Sequence, residues 1–131
     1  MEGTDKYLVF SVLEEFYAIH IKAVKEIIRY EMITTVQDAV NYIVGVINLR
    51  GQIVPIIDFR IKMGLNKSEY TDKTVFIILE INGDQGKYLA GLAVDAVHQV
   101  HEINTQEIQP AEGVGLKLKS RYVTGIVRIQ E

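Results

Sequence analysis

The sequence predicts an all-β domain, mainly strand with short helices, and two observations carry that expectation. Apolar runs rich in β-branched and aromatic residues alternate with turn-forming residues, and a β-rich pattern recurs along the chain. Residues 7–13 and 16–21 are two such runs, separated by Glu14 and Glu15 in the pattern of a tight hairpin. In IKAVKEII (21–28), Ile21, Val24, Ile27 and Ile28 recur at intervals of three and four, so a short helical turn is expected before a strand through Arg29 and Tyr30. After a polar stretch at 34–38, YIVGVINL (42–49) reads as a strand in which Gly45 marks a bulge or a close backbone approach. Arg50, Gly51 and Gln52 turn the chain, and IVPII (53–57) returns as a strand. Pro55 donates no ladder hydrogen bond, which predicts an edge or a bulge there. Asp58 can cap a short helix at 59–63 that Gly64 closes.

Polar residues 67–73 read as a loop between two halves, after which 74–81 and 88–94 predict a second hairpin around NGDQG (82–86). A strand at 96–103, a helical turn at 105–108, a loop at 110–115 and a last strand at 122–129 complete the chain. AIHIKAVKEI (18–27) matches GLAVDAVHQV (91–100) in pattern, and YIVGVI (42–47) matches YVTGIV (122–127). As a repeat, these matches describe one domain over 1–131 with a first β unit at about 14–66 and a second at about 74–131 that shares the N-terminal strand. The alternative is chance likeness between short β-rich segments.

Composition narrows the function classes. At 131 residues, 48% hydrophobic and 24% charged, the chain lies near the globular average and fits a single core. A net charge of -3 without a block of like charges argues against nucleic acid as a partner. The chain has no cysteine, which removes disulfides, thiolate zinc sites and a cysteine nucleophile together. The N-terminus lacks the basic-then-apolar order of a signal peptide, and the longest uncharged run, 39–49, is too short to insert in a membrane. These features fit a cytoplasmic protein.

Candidate catalytic groups are sparse. His20, His98 and His101 are the only imidazoles, and on a strand His98 and His101 would point to opposite faces, so no metal site is expected. Ser11, Ser68 and Ser120 lie in no Gly-x-Ser-x-Gly elbow and near no histidine in sequence. Glu14 and Glu15 read as a solvated turn rather than an acid and base, and Gly83-x-x-Gly86 lacks the ending of a phosphate loop. The distinctive segment is GVINLRGQIVPIIDFR (45–60), which holds Arg50 in a turn between two apolar strands. Such an arginine either offers a planar fork of donors to a partner, with Leu49 and Ile53 adding apolar contact, or is a solvated charge at a turn.

These residues resemble the hallmark of the CheW family, Gly-x-x-Asn-Leu-Arg-Gly followed by an aliphatic strand with a central proline and an Asp-Leu-Arg ending. Residues 45–60 follow it, with Phe59 where leucine is common. YLVF (7–10), YAI (17–19), VKEII (24–28), GLAVDAV (91–97), IQPA (108–111) and YVTGI (122–126) stand in the family's order. The resemblance implies two intertwined SH3-like or OB-like β-barrel subdomains around a shared hydrophobic core, with no active site, cofactor or metal. It implies a chemotaxis adaptor that couples methyl-accepting chemoreceptors to the histidine kinase CheA. The receptor's signalling tip would dock in the groove between subdomains, with Glu26, Arg50, Val75, Gly91 and Val100 in or beside it. Asn48, Leu49, Gly51, Pro55 and Asp58 would form the structural turn and motif, and the CheA regulatory domain would meet exposed hydrophobic surface at one barrel's end. A CheW-like domain of a CheA or CheV-type protein shares these features. A small β-barrel ligand carrier using Arg50, His20 and Glu26 is a reading from another class. The family's return strand and C-terminal helix after the Tyr-x-Thr-Gly-Ile strand are not matched, so self-association through an open strand at 122–129 is expected.

Overall fold

The β-rich runs fold as strands in the expected order. The structure, a computed structural model, describes residues 4–36, 41–62, 70–104 and 126–129. β1 (Thr4–Val12) and β2 (Glu15–His20) form the first hairpin, turning at Leu13 and Glu14. Both turn residues have positive φ, 50° and 69°, which matches the twist of the flanking strands at some cost for side chains other than glycine. The helical periodicity at Ile21 yields one 3-10 turn, Ile21–Ala23, where the His20 imidazole accepts from the Lys22 N–H at 3.1 Å. β3 (Val24–Arg29), β4 (Ile43–Leu49) and β5 (Gln52–Asp58) follow, then the short helix α1 (Phe59–Lys62). β6 (Val75–Gly83) and β7 (Gly86–Val94) form the second hairpin, with ladders that run into the predicted turn. β8 (Ala96–Asn104) and β9 (Ile126–Ile129) complete the described strands. The expected helical turn at 105–108, the loop at 110–115, the start of the last strand and the closing Gly64 lie outside the described residues.

Two sheets result, in the orders β8-β1-β2-β9 and β3-β6-β7-β5-β4. Below these are the first and second sheets. Each combines strands from both sides of the polar stretch at 67–73: the first half lends β3, β4 and β5 to the second sheet, and the second half lends β8 and β9 to the first. The second sheet also approaches closure. The chain after β3 reaches β4 through reciprocal hydrogen bonds between Thr34 and Val46, both 2.9 Å.

Burial follows from this arrangement. A central core lies between the sheets, with Leu8, Phe10, Val12, Tyr17 and Ile19 of the first meeting Ile57, Ile77, Leu79 and Leu92 of the second. Phe59 carries α1 into it, with its ring centroid 5.5 Å from Phe10 and 4.7 Å from Tyr17. Strands alternate their side chains, so the opposite faces bury their own clusters. Ile47, Leu49, Val54, Ile56, Phe76 and Ile78 fill the curl of the second sheet, and Tyr7, Val9 and Ala18 form a smaller cluster on the first.

Two backbone expectations met different outcomes. Gly45 is both bulge and close approach: the β4 register shifts at this residue, and an added Cβ would collide with the Thr34 carbonyl and the Ile33 side chain. Pro55 is neither at an edge nor at a bulge, because β5 is flanked by β4 and β7 and pairs regularly with Val46. The proline is tolerated because the parallel ladder with β7 begins one residue later, at Ile56 opposite Gly91.

Candidate functional site

The Asn48-Leu49-Arg50-Gly51 turn is rigid for a local reason. Arg50 and Gly51 take φ values of 52° and 88°, the pair of positive angles that a two-residue hairpin loop requires. The Asn48 side-chain oxygen accepts the Gly51 N–H at 2.8 Å and so holds the loop from within. Nothing lies within 4 Å of an added Cβ at Gly51, so this glycine serves backbone conformation and not packing. Leu49 points into the core, which corrects its expected role as a contact beside Arg50; it is Ile53, 59% exposed, that lies outward.

Arg50 is not simply solvated. Its guanidinium is ion-paired with the Glu26 carboxylate on β3, with side-chain exposures of 68% and 28%. Glu26 stands opposite Ile78, Ile78 opposite Gly91, and Gly91 opposite Ile56, so these residues form one row on the concave face of the second sheet. Gly91 is buried there. An added Cβ would lie 2.6 Å from Cδ1 of Ile56 and 3.3 Å from that of Ile78, which makes this position one of close packing.

The other two predicted groove residues face elsewhere. Val75 packs against the central core, and Val100 stands opposite Leu8, which is part of that core. Both therefore face the space between the sheets, while Glu26 and Gly91 belong to the opposite face of the second sheet. Ile27, opposite Ile77, also faces the intersheet space. It is 44% exposed, and Val100 is 47% exposed. Reading 21–28 as a helical turn hid Ile27, because only strand alternation separates its direction from that of its neighbours.

Asp58 does more than cap. Its Oδ1 accepts the N–H groups of Arg60 at 2.8 Å and Ile61 at 3.2 Å, as a cap should. Its Oδ2 accepts the Tyr70 hydroxyl and lies 3.3 Å from the Arg60 guanidinium, which also sits 5.5 Å over the Tyr70 ring. Asp58 and Arg60 are both buried, so each charge is stabilised by the other. Burial, followed by the Asp58 carboxylate, pushes the Tyr70 hydroxyl far above the ordinary tyrosine value. Sequence reading missed Arg60 and Tyr70, although Arg60 ends the quoted motif.

The histidines do not converge. His20 packs edge-on against Tyr7, with centroids 5.1 Å apart; Nε2 of His98 lies 2.9 Å from the Ser11 hydroxyl, and that of His101 2.8 Å from Gln99. The Ser11–His98 contact ties β1 to β8, and no carboxylate is placed on the other nitrogen of His98 among the described residues. No group of three metal-ligating side chains occurs among the described residues, and no helix there is long and apolar enough to cross a membrane. His20 belongs to the first sheet, whereas Glu26 and Arg50 belong to the second.

Two sheets around one core, with a rigid charged turn and exposed apolar side chains at strand edges, define a β-sheet binding module. The family model for the CheW-like domain matches residues 6–131. The chain belongs to the CheW-like domain family. The chemotaxis protein CheW of Klebsiella aerogenes is 36% identical over 126 residues, 96% of this chain and 74% of that protein. The corresponding Bacillus subtilis protein is 38% identical over 111 residues, 84% and 69% of the two chains. The crystal structure of the scaffolding protein TtCheW from Thermoanaerobacter tengcongensis is similar, with a TM-score of 0.73 at 39% identity over 82% of this chain and 70% of that one.

Proposed function

We propose that this protein is a cytoplasmic, non-catalytic chemotaxis adaptor that couples methyl-accepting chemoreceptors to the histidine kinase CheA. The observation that carries the reading is the Arg50 turn: a strained loop, locked by Asn48, presents a largely exposed guanidinium whose direction is set by Glu26. Such a group gives directional contacts to a carboxylate or amide without first being ordered. The receptor's signalling tip, a helical hairpin, would lay apolar side chains against Ile27, Val75 and Val100 in the space between the sheets. Glu26 neighbours Ile27 on β3, the end strand of the second sheet, so Glu26 and Arg50 would supply polar contacts across that strand from its other face, and Gly91 would keep the sheet behind them closely packed. The CheA regulatory domain would take exposed apolar residues of the first half of the chain, Met32 and Ile53. A pull-down with a receptor signalling-tip fragment and the CheA regulatory domain tests both contacts. Retention of both is expected, and retention of neither overturns the reading.

A further inference from the structure

β7 and β8 are one run of chain bent at a single residue. β7 ends at Val94 in the second sheet, β8 begins at Ala96 in the first, and only Asp95 lies between them. The matching crossing from β2 to β3 takes the three residues of the 3-10 turn, Ile21–Ala23. Apolar packing in the central core is non-directional and holds the sheets together, and directional contacts at the corner act in addition to it.

Asp95 links the β1–β2 hairpin of the first sheet to the helix that follows β5 of the second. Its N–H donates to the Ser11 carbonyl at 3.1 Å, and its Oδ2 accepts the Leu13 N–H at 2.7 Å, which clamps the tip of the β1–β2 hairpin in the first sheet. Its Oδ1 lies 3.7 Å from the guanidinium of Arg60 on α1, the helix that follows β5 of the second sheet. Arg60 is itself immobilised by Asp58 and the Tyr70 ring. The Asp95 side chain is 41% exposed, so removing it opens no core cavity and leaves the Arg60 charge paired with Asp58.

The corner also stands between residues of the binding site. Gly91 precedes Asp95 by four positions on β7, and Val100 follows it by five on β8. Ile27 faces the intersheet space from β3, an edge of the second sheet, and Val100 from β8, an edge of the first. We propose that Asp95 and Arg60 are positioning residues, whose contact at the β7–β8 corner sets the angle between the sheets and thereby the width of the space that Ile27 and Val100 face. The consequence for partner binding rests on the proposal that this space seats the receptor tip; the geometric part does not.

The absence of cysteine makes the geometry directly measurable. Lys25 on β3 and Gln99 on β8 are exposed, and cysteines introduced there carry a spin-label pair spanning the two sheets. Electron–electron double resonance is expected to give a narrow distance distribution in the parent and a broader or shifted one in Asp95→Ala. Titration calorimetry on the unlabelled chains is expected to show about three- to tenfold weaker binding of a receptor signalling-tip fragment in Asp95→Ala. Asp95→Asn keeps an acceptor for Leu13 and loses the attraction to Arg60, so it should fall between the two; identity with the parent removes Arg60 from the proposal. An unchanged distribution in Asp95→Ala overturns the positioning role, whereas a broadened one with unchanged affinity overturns the link between the sheet angle and receptor binding. Failure of the parent to bind the tip overturns the receptor reading instead, and the distance distributions still decide the geometry.

Discussion

The Arg50 guanidinium, on the turn between β4 and β5, is ion-paired with the Glu26 carboxylate on β3, so opposite ends of the five-stranded sheet meet through two side chains. The Arg50 side of the pair is well exposed and screened by solvent, so its contribution to stability is below about 1 kcal/mol. On the proposed function, the pair aims Arg50 at the receptor. Arg50→Ala should leave the melting temperature nearly unchanged and weaken binding of a receptor-tip fragment by about 1.5–3 kcal/mol. The exchanged variant, Arg50→Glu with Glu26→Arg, should melt like the parent and still fail to bind, because the pair is retained while the presented charge is reversed. Equal calorimetric affinity of Arg50→Ala and parent would eliminate the role.

Gly51 and Gly91 should fail for different reasons. Gly51→Val forces a β-branched residue to a φ of 88° in open space, a backbone cost of about 1–2 kcal/mol that falls on the turn and hence on binding. Gly91→Val overpacks Ile56 and Ile78 and should cost about 1–3 kcal/mol in global stability. Urea unfolding and tip binding separate the two. Melting of both variants within a degree of the parent would contradict the assignment.

Ile27 and Val100 are each nearly half exposed, so Ile27→Ser and Val100→Ser should change stability by less than about 1 kcal/mol. If their exposed apolar surface seats the receptor tip, each should weaken tip binding by about 1 kcal/mol while leaving CheA binding intact. Parallel loss of both partners would point to a folding defect instead.

Tyr70 should give the protein an alkaline limit. Its folded-state pKa is raised above the ordinary 10.0 by burial and by Asp58. The associated stabilisation is present in full below pH 10.0 and is lost as pH rises through the higher folded-state value. Stability measured by urea unfolding should therefore fall more steeply with pH above that point in the parent than in Tyr70→Phe. Identical slopes would remove the Asp58–Tyr70 contact as its source.

β9 pairs with β2 on one side and ends the first sheet among the described strands. Its outer edge has no neighbour among the described strands, and edge-to-edge pairing of two copies of this 131-residue chain is the expected outcome as concentration rises. Sedimentation at several concentrations, with amide exchange across residues 126–129, tests this expectation. A monomer throughout, with protection on both edges of β9, would count against it.

The sequence by itself determined most of the strands, their order along the chain and the turn that presents Arg50, but it read residues 24–28 of β3 as helical. These depend on local chemistry: β-branched runs favour extended backbone, Gly51 allows a positive φ, and the Asn48 and Asp58 side chains bond to backbone groups two or three positions away. The resemblance at residues 45–60 supplied the family from the same local pattern. Tertiary structure alone decided what those elements meet. Pro55 became an interior-strand residue because β7 starts pairing only at Ile56, and Glu26 met Arg50 because the second sheet curls. That Ile27 faces the space between the sheets became visible only once the register opposite Ile77 was known. In sequence Asp95 is one charge in an apolar run; in the structure it is the corner between sheets, with contacts to Ser11, Leu13 and Arg60. Those partners lie 35 to 84 positions away, beyond the reach of any local pattern, and cooperative packing of the whole chain brings them together.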